Sequence, residues 1–464
     1  MSQYQTCMIP IDNILNHLET ALNTEKMKTV FQQHLYPALS IRIETCNIER
    51  IKYKPQKNCH VSYRLSFKKN HANNTNEQLV CARFYEQAGS ISRFLKESDK
   101  ENSQNLLIHI PELDCVTWVF PNDRKLINLE RVTDPDFLCQ QVAPKLVLNV
   151  YGSDWAINKF NSEIIRYVPE QNCSVRIQLE IAQSQSKQQK KMVVYGKNFY
   201  NQSGQQVYHI MCQLWDSEVC KQGILNIPKP LLYHSQYRML WQMGVPGVML
   251  SELYANQTLF LNGVANSARQ IALLHQVPLH DCPRNNQEKI VQELHKVGQL
   301  LKKFNVPCRQ EITNLIEKLV GFFSNVMPEH QVTLHGDLHL KNILVDSDRV
   351  FLIDLDNISL GNPLLDIGSF IAAILNLELT GSIPSSFAEQ TIEVFLPVYC
   401  EAVPWTVNTT DLRRYIAMAL VVERIFRSFT RLKAGRMEII EDLLKQAETM
   451  LDGSFTPRWL QAKG

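Results

Sequence analysis

Within residues 331–373 a short run, Val332–Leu334, stops abruptly at His335-Gly336-Asp337. Asn342 follows five residues after Asp337, and Asp354 and Asp356 close a later run. Ile343-Leu344-Val345 and residues 350–353 are two β-type stretches, and the intervening Asp346-Ser347-Asp348 has the composition of a tight turn with solvent-facing acids. A carboxylate, an amide and a second carboxylate therefore sit at the ends of hairpin strands, where cross-strand pairing fixes geometry. Hard oxygen ligands of this kind suit Mg2+, which takes one or two carboxylates together with substrate phosphates. A carboxylate outside the metal shell can accept a proton from a hydroxyl.

The spacing is that of phosphoryl transfer: an Asp, an Asn five residues on, and a metal-binding Asp after the next strand. Glycine follows the histidine here, Ile353-Asp354-Leu355-Asp356 stands in place of D-F-G, and Gly361-Asn362-Pro363 and Leu365-Asp366-Ile367-Gly368 lie downstream. With these features the stretch resembles the aminoglycoside phosphotransferase and choline kinase family, small-molecule kinases on a protein-kinase-like fold. The resemblance implies an α+β, two-lobed architecture with a β-rich N-lobe and a helical C-lobe. It implies transfer of the γ-phosphoryl group of ATP or GTP to a hydroxyl of a small acceptor, such as a sugar or amino alcohol. Asp337 would be the catalytic base, His339 would stand beside the transferring group, and Asn342 and Asp354 would hold Mg2+. It also implies that His335 organises the loop, that Asp356 supports metal or substrate, and that Asp366 pins the loop through backbone N–H groups.

The elements that must cover this site contain an internal repeat. Residues 53–65, YKPQKNCHVSYRL, align with residues 167–179, YVPEQNCSVRIQL, and six of these thirteen positions are identical. At the same offset Cys81-Ala82-Arg83-Phe84-Tyr85 falls on Tyr195-Gly196-Lys197-Asn198-Phe199. Both copies run on into helical stretches, 90–96 and 205–215, and polar hairpin loops are expected at 68–76 and 183–191. Self-similarity at a long period indicates a repeated structural unit; two copies make a duplication. The second copy precedes the kinase-like part, where the family has its nucleotide-covering lobe, so Lys197 resembles the lysine that pairs with nucleotide phosphates. Ser251, Glu252 and Leu253 would then form the hinge whose backbone reads the adenine edge. The first copy carries Arg83 at the lysine position and resembles a degenerate lobe. Two features depart from the pattern: the turn Pro169-Glu170-Gln171-Asn172 lacks glycine, and the helix after Lys197 offers no glutamate before Glu218.

The predicted organisation is therefore 1–135, a degenerate N-lobe-like repeat; 136–255, the nucleotide-covering N-lobe; and 256–464, the helical C-lobe. Residues 1–38 read as helical, from Ile11, Ile14, Leu15, Leu18 and Leu22 at helical spacing and a second piece over Met27–Leu35, and helical periodicity recurs over 264–277, 288–304, 312–326, 365–375, 390–399, 412–432 and 439–451. His275 is expected as a helix-end or core histidine and residues 453–464 as a loose tail.

The 48 basic and 46 acidic residues give a net charge of +2, which leaves no footprint for nucleic acid or an anionic membrane. The N-terminus lacks the pattern of a signal peptide, and no apolar run has the length of a membrane span. The twelve cysteines include no C-x-x-C pair and are read as reduced thiols, which sets a cytoplasmic expectation. The rival reading is a catalytically silent, kinase-like nucleotide- or protein-binding module, and a partner protein for the first copy stays open.

Overall fold

The computed structural model describes residues 12–37, 41–67, 76–98, 107–184, 186, 188–304, 308–325, 330–432, 435–453 and 459. In both repeated stretches every second residue is apolar, Cys59, Val61, Tyr63 and Leu65 in one, Cys173, Val175, Ile177 and Leu179 in the other. All eight are buried, as alternation on a half-buried strand requires. Each stretch forms the second strand of a five-stranded antiparallel sheet. The first sheet comprises β1 (Ile43–Lys54), β2 (Asn58–Phe67), β3 (Asn76–Tyr85), β4 (Ile108–Ile110) and β5 (Cys115–Val119), in the order β1-β2-β3-β5-β4. The second comprises β6 (Trp155–Val168), β7 (Asn172–Gln183), β8 (Gln189–Phe199), β9 (Pro230–His234) and β10 (Met239–Met243), in the order β6-β7-β8-β10-β9.

The two sheets agree in detail. Helix Gly89–Ser98 follows β3 and helix Ser203–Asp216 follows β8. A left-handed residue turns the first hairpin of each, Gln56 (φ 56) and Glu170 (φ 60). A 3-10 turn ended by a left-handed residue, Asp114 or Arg238, joins the last two strands of each. The β1–β2 and β6–β7 ladders are each shifted twice, first at Ile43/Thr45 and at Ile157/Lys159.

The chain groups into two compact units. The first is Met1–Glu130 with Lys296–Thr313 and Ile425–Ile440; the second is Arg131–His295 with Asn314–Arg424 and Glu441–Gly464. The first unit takes in two later segments of the chain. Phe304 packs edge-on against Tyr53 at 5.6 Å and tilted against Phe429 at 5.0 Å, and all three rings are buried. Within the stretch predicted as helical, the second piece forms as helix Thr24–His34, while among the described residues the first starts only at Leu18. Asp12 holds the preceding residues in a turn: its carboxylate accepts from Ile14 N, Leu15 N, the Tyr53 hydroxyl and Gln56 N. Ile11 and the loop 68–75 lie outside the described residues.

In the second unit, helix Leu364–Leu379 is buried along most of its length, as its apolar composition requires. Gly368 makes its neighbour possible, since a Cβ there would lie 2.9 Å from the Tyr415 backbone of helix Thr409–Ala419. Phe370 stacks on Phe395 of helix Ser385–Ala402 at 4.2 Å. Past residue 453, expected to be loose, Trp459 is buried. The described cysteines are free thiols, and Cys59, Cys81, Cys115 and Cys173 serve as small core residues. The fold class is α+β, and among the described residues no helix is long and apolar enough to cross a membrane.

Candidate active site

Two short ladders present the site. β11 (Val248–Met249) borders the hairpin of β14 (Ile343–Asp346) and β15 (Arg349–Leu352), while β13 (Val332–Leu334) pairs antiparallel with β16 (Ser359–Gly361), which β12 (Arg284–Asn285) joins on its other edge. β13 delivers His335-Gly336-Asp337. Gly336 adopts φ +77, and a Cβ there would fall 2.2 Å from Asn357 O, so only glycine fits this turn. Asp366, in the first turn of helix Leu364–Leu379, holds the loop from below. Its carboxylate accepts from His335 N at 2.6 Å and Gly336 N at 3.0 Å. His275 Nε2 lies 3.2 Å from the same carboxylate and His275 Nδ1 lies 2.8 Å from the Tyr399 hydroxyl, all inside the core. Burial works to raise the Asp366 pKa. The hydrogen bond and charge of His275, the charge of His335 and the Gly336 N–H outweigh it and hold the carboxyl below its usual range.

His335 is fully buried, with Nε2 3.0 Å from Ile353 O, which ties the loop to the end of β15. Asn342 Nδ2 donates to Asp337 O at 2.9 Å, while Ile353 N donates to Asn342 O at 3.0 Å. The amide side chain is thereby oriented by its nitrogen, which leaves Oδ1 as its acceptor atom. Asp354 follows in the left-handed region (φ 61), a conformation Asp tolerates better than most residues.

Lys197, projecting from β8, reaches both acids of this corner. Its Nζ is 2.7 Å from Asp354 Oδ1 and also pairs with Asp356 Oδ2. Burial opposes the ammonium charge, but Asp356 and Asp354 outweigh it and raise the lysine pKa. Burial likewise works against the Asp354 carboxylate, yet Lys197, with help from His335 and Arg166, holds its pKa down. Asp356 goes the other way: burial, the Asp354 charge and the Asp337 charge raise it against the pull of Lys197. One cation thus shares two carboxylates, and they titrate apart.

Other predicted residues fall around this corner. His339 Nε2 stands 3.8 Å from Asp337 Oδ2. Ser251 and Glu252 lie in a 3-10 turn, Leu250–Glu252, that packs against the Leu340–Asn342 turn. Leu253 closes it, its N–H donating to Leu250 O and its carbonyl accepting from Asn256 N. The glutamate absent from helix Ser203–Asp216 has a replacement in position: Asp356 supplies the second carboxylate to Lys197. Two contributors have no local sequence signal. Tyr399 reaches His275 across 124 residues, and Arg166 acts on Asp354 from a neighbouring sheet position.

The donor set fits Mg2+. Among the described residues no three His, Cys, Asp or Glu side chains are grouped to hold a metal. Mg2+ needs no such cage, since one or two carboxylates suffice when water and phosphate complete the octahedron. The Lys197 ammonium already stands between Asp354 and Asp356 as a resident cation, so the corner is electrostatically built for positive charge.

Residues 208–399 match the family model described as the phosphotransferase enzyme family. No curated protein matches the chain. Among solved structures, amicoumacin kinase hAmiN, in complex with AMP-PNP, Ca2+ and Ami, is 14% identical, covering 65% of this chain and 92% of its own, with a TM-score of 0.46. A thermostable mutant of aminoglycoside phosphotransferase APH(4)-Ia is 16% identical, covering 68% and 100%, with a TM-score of 0.44. A choline/ethanolamine kinase family protein from Mesorhizobium loti is 13% identical, covering 68% and 96%, with a TM-score of 0.45. The matched segment begins after Lys197 and contains Asp337, Asn342, Asp354, Asp356 and Asp366, and over that segment the chain resembles the phosphotransferase enzyme family.

Proposed function

We propose that the protein is a small-molecule kinase that moves the γ-phosphoryl group of ATP or GTP onto a hydroxyl of a small acceptor, a sugar or amino alcohol. The observation that carries this reading is the convergence of Lys197 on Asp354 and Asp356, beside the loop in which Asn342 is tied to Asp337. Residues 136–255 would form the nucleotide cover and 256–464 the catalytic lobe. The reading carries a cytoplasmic setting, where nucleoside triphosphates are supplied.

Asp337 would accept the acceptor's hydroxyl proton on a carboxylate oxygen, and His339, 3.8 Å away, would steady the developing charge. Lys197 would exchange one carboxylate for a phosphate oxygen while keeping the other. Asn342 Oδ1 and Asp354 would hold Mg2+, which when bound supplies charge neutralisation at the phosphates. The chain's remaining work is positioning: Asp366 and His335 fix the loop so that Asp337 needs no rearrangement at the moment of transfer.

The test is Mg2+-dependent nucleotide turnover by the purified full chain over a panel of sugars and amino alcohols. Turnover should collapse in Asp337→Asn and in Asp354→Ala, with Asp337→Asn still binding nucleotide. Wild-type rates in both variants would overturn the assignment. Nucleotide binding with no turnover on any acceptor would favour the silent binding module, to which the glycine-less turn at Pro169-Glu170-Gln171 also speaks.

A further inference from the structure

The helix that follows Lys197 offers glutamines and no glutamate, and one of these glutamines has a definite partner. Gln213, in the last turn of helix Ser203–Asp216, meets the backbone of a single residue, His280, with both ends of its amide. Its Nε2 donates to His280 O at 3.1 Å, and its Oε1 accepts from His280 N at 3.0 Å. A side-chain amide pairs here as a neighbouring strand would, whereas a glutamate in the same place could only accept. His280 follows helix Gln257–Gln276, and Asp281, in the left-handed region (φ 53), turns the chain after it.

Both sides of this clasp lead to the same acids. On one side, Pro283 O accepts from Leu360 N at 2.7 Å and β12 runs parallel to β16, just after the 3-10 turn Leu355–Asn357 that contains Asp356. On the other, helix Ser203–Asp216 continues from β8, which carries Lys197, and packs against that same turn. The contacts close a ring: Lys197, its helix, Gln213, His280, the β12–β16 ladder, and the turn whose acids pair with Lys197. A second amide fastens the chain a little further on. Gln270, 8% exposed, accepts from Asn226 N and donates to Ile224 O, both at 2.8 Å, and Asn226 O in turn accepts from Leu352 N at 3.1 Å. Every residue of the two clasps lies in the second unit. One such attachment makes a pivot; two fix the angle.

We propose that Gln213 is a positioning residue, a latch that holds the β6–β10 sheet and its Lys197 at a fixed angle to Asp354 and Asp356. The inference rests on the kinase reading and adds to it how the nucleotide cover is kept in place. In that reading Lys197 gives up one carboxylate to a phosphate oxygen, so the ion pair slackens as the nucleotide arrives. The Gln213 clasp carries no net charge and shares no atom with Lys197, so phosphate does not compete for it. Gln270 is the buried pivot, which stays fastened when the latch is lost. Without the latch the sheet can rock on that pivot, only a fraction of molecules presents Lys197 correctly, and apparent nucleotide affinity falls by that fraction. Bound nucleotide restores the arrangement, so the rate at saturation is kept.

The experiment measures nucleotide affinity and turnover of the full chain separately. AMP-PNP and GMP-PNP, each with Mg2+, are titrated calorimetrically into wild type, into Gln213→Met, which keeps the length and removes the amide, and into Gln213→Glu, which keeps the acceptor and removes the donor. Gln213→Met should bind about tenfold more weakly, the scale of two neutral hydrogen bonds, and Gln213→Glu should fall between it and wild type. In Mg2+-dependent turnover on the acceptor panel, KM for the nucleotide should rise in the same order while kcat holds. Gln213→Ala serves if Gln213→Met does not fold. Wild-type affinity in the folded variant, or a fall in kcat at unchanged KM, removes the latch and leaves the kinase reading standing. Failure of wild type to bind either nucleotide analogue overturns the kinase reading, and the latch with it.

Discussion

Lys197 Nζ lies 2.7 Å from Asp354 Oδ1, across 157 residues of chain. The same ammonium pairs with Asp356, and it is the cation that keeps two neighbouring carboxylates together. Without it Asp354 and Asp356 face one another, and Asp337 adds a third negative charge nearby. The lysine thus has two duties, as counter-ion to the acids and as the group that a phosphate chain would recruit.

Lys197→Gln should accordingly lower nucleotide turnover on the order of 100-fold, the scale of removing one preorganised electrostatic contact from a reacting site. Lys197→Arg keeps the charge and should recover part of it. Steady-state rates for both variants check this. Equal rates for wild type and Lys197→Gln would remove the lysine from the site.

Asp366→Asn should cost about 3 kcal/mol, because it replaces a buried carboxylate that two N–H groups and His275 depend on. The pH dependence has a definite sign. The folded pKa of Asp366 is depressed below the ordinary carboxyl value of 3.8. Its contribution is therefore present above that value and is lost as pH falls through the folded pKa. Denaturant melts of wild type and Asp366→Asn should differ most near neutral pH and converge under acid. A gap that widens on acidification would contradict the assignment.

Gly336→Ala should displace the loop that carries His335 and Asp337. The new Cβ would have to share space with Asn357 O, and φ +77 is itself unfavourable for alanine. The expected outcome is a stability loss of roughly 1–3 kcal/mol with a fall in kcat larger than the change in KM. A variant as active and stable as wild type would show that the turn tolerates a side chain.

Much of this corner was legible in the sequence, because its parts are close along the chain. Asp337, Asn342 and Asp354 come from one loop and one hairpin, and turn composition with short β-type runs is enough to place them. The alternation that defines β2 and β7 was legible for the same reason. What could not be read depends on long-range packing. Tyr399 gives no sign of meeting His275, and no local feature of residues 11–22 announces that Asp12 will turn away to cap Tyr53 and Gln56. The ion pair of Lys197 with Asp356 was half visible: the missing helix glutamate was read as a defect, while the spacing Asp354-Leu355-Asp356 held the substitute.

The make-up of the first unit leads to the last prediction. Residues 1–135 look removable in sequence, since a complete second sheet follows them. Phe304 and Phe429, however, lie in segments of the first unit, where Phe304 packs against Tyr53 of β1 and Phe429 packs against Phe304. Removing residues 1–135 takes away Tyr53 and leaves both later rings without that cover, and an exposed aromatic cluster favours association. The truncated chain should therefore be insoluble or aggregate. Phe304→Ala in the full chain should cost about 3–5 kcal/mol, the usual range for emptying a buried aromatic position. Chemical denaturation and light scattering measure the two effects. A soluble, monomeric truncation that melts as the full chain does would show that the first sheet is an appended module, and that Phe304 and Phe429 find other cover.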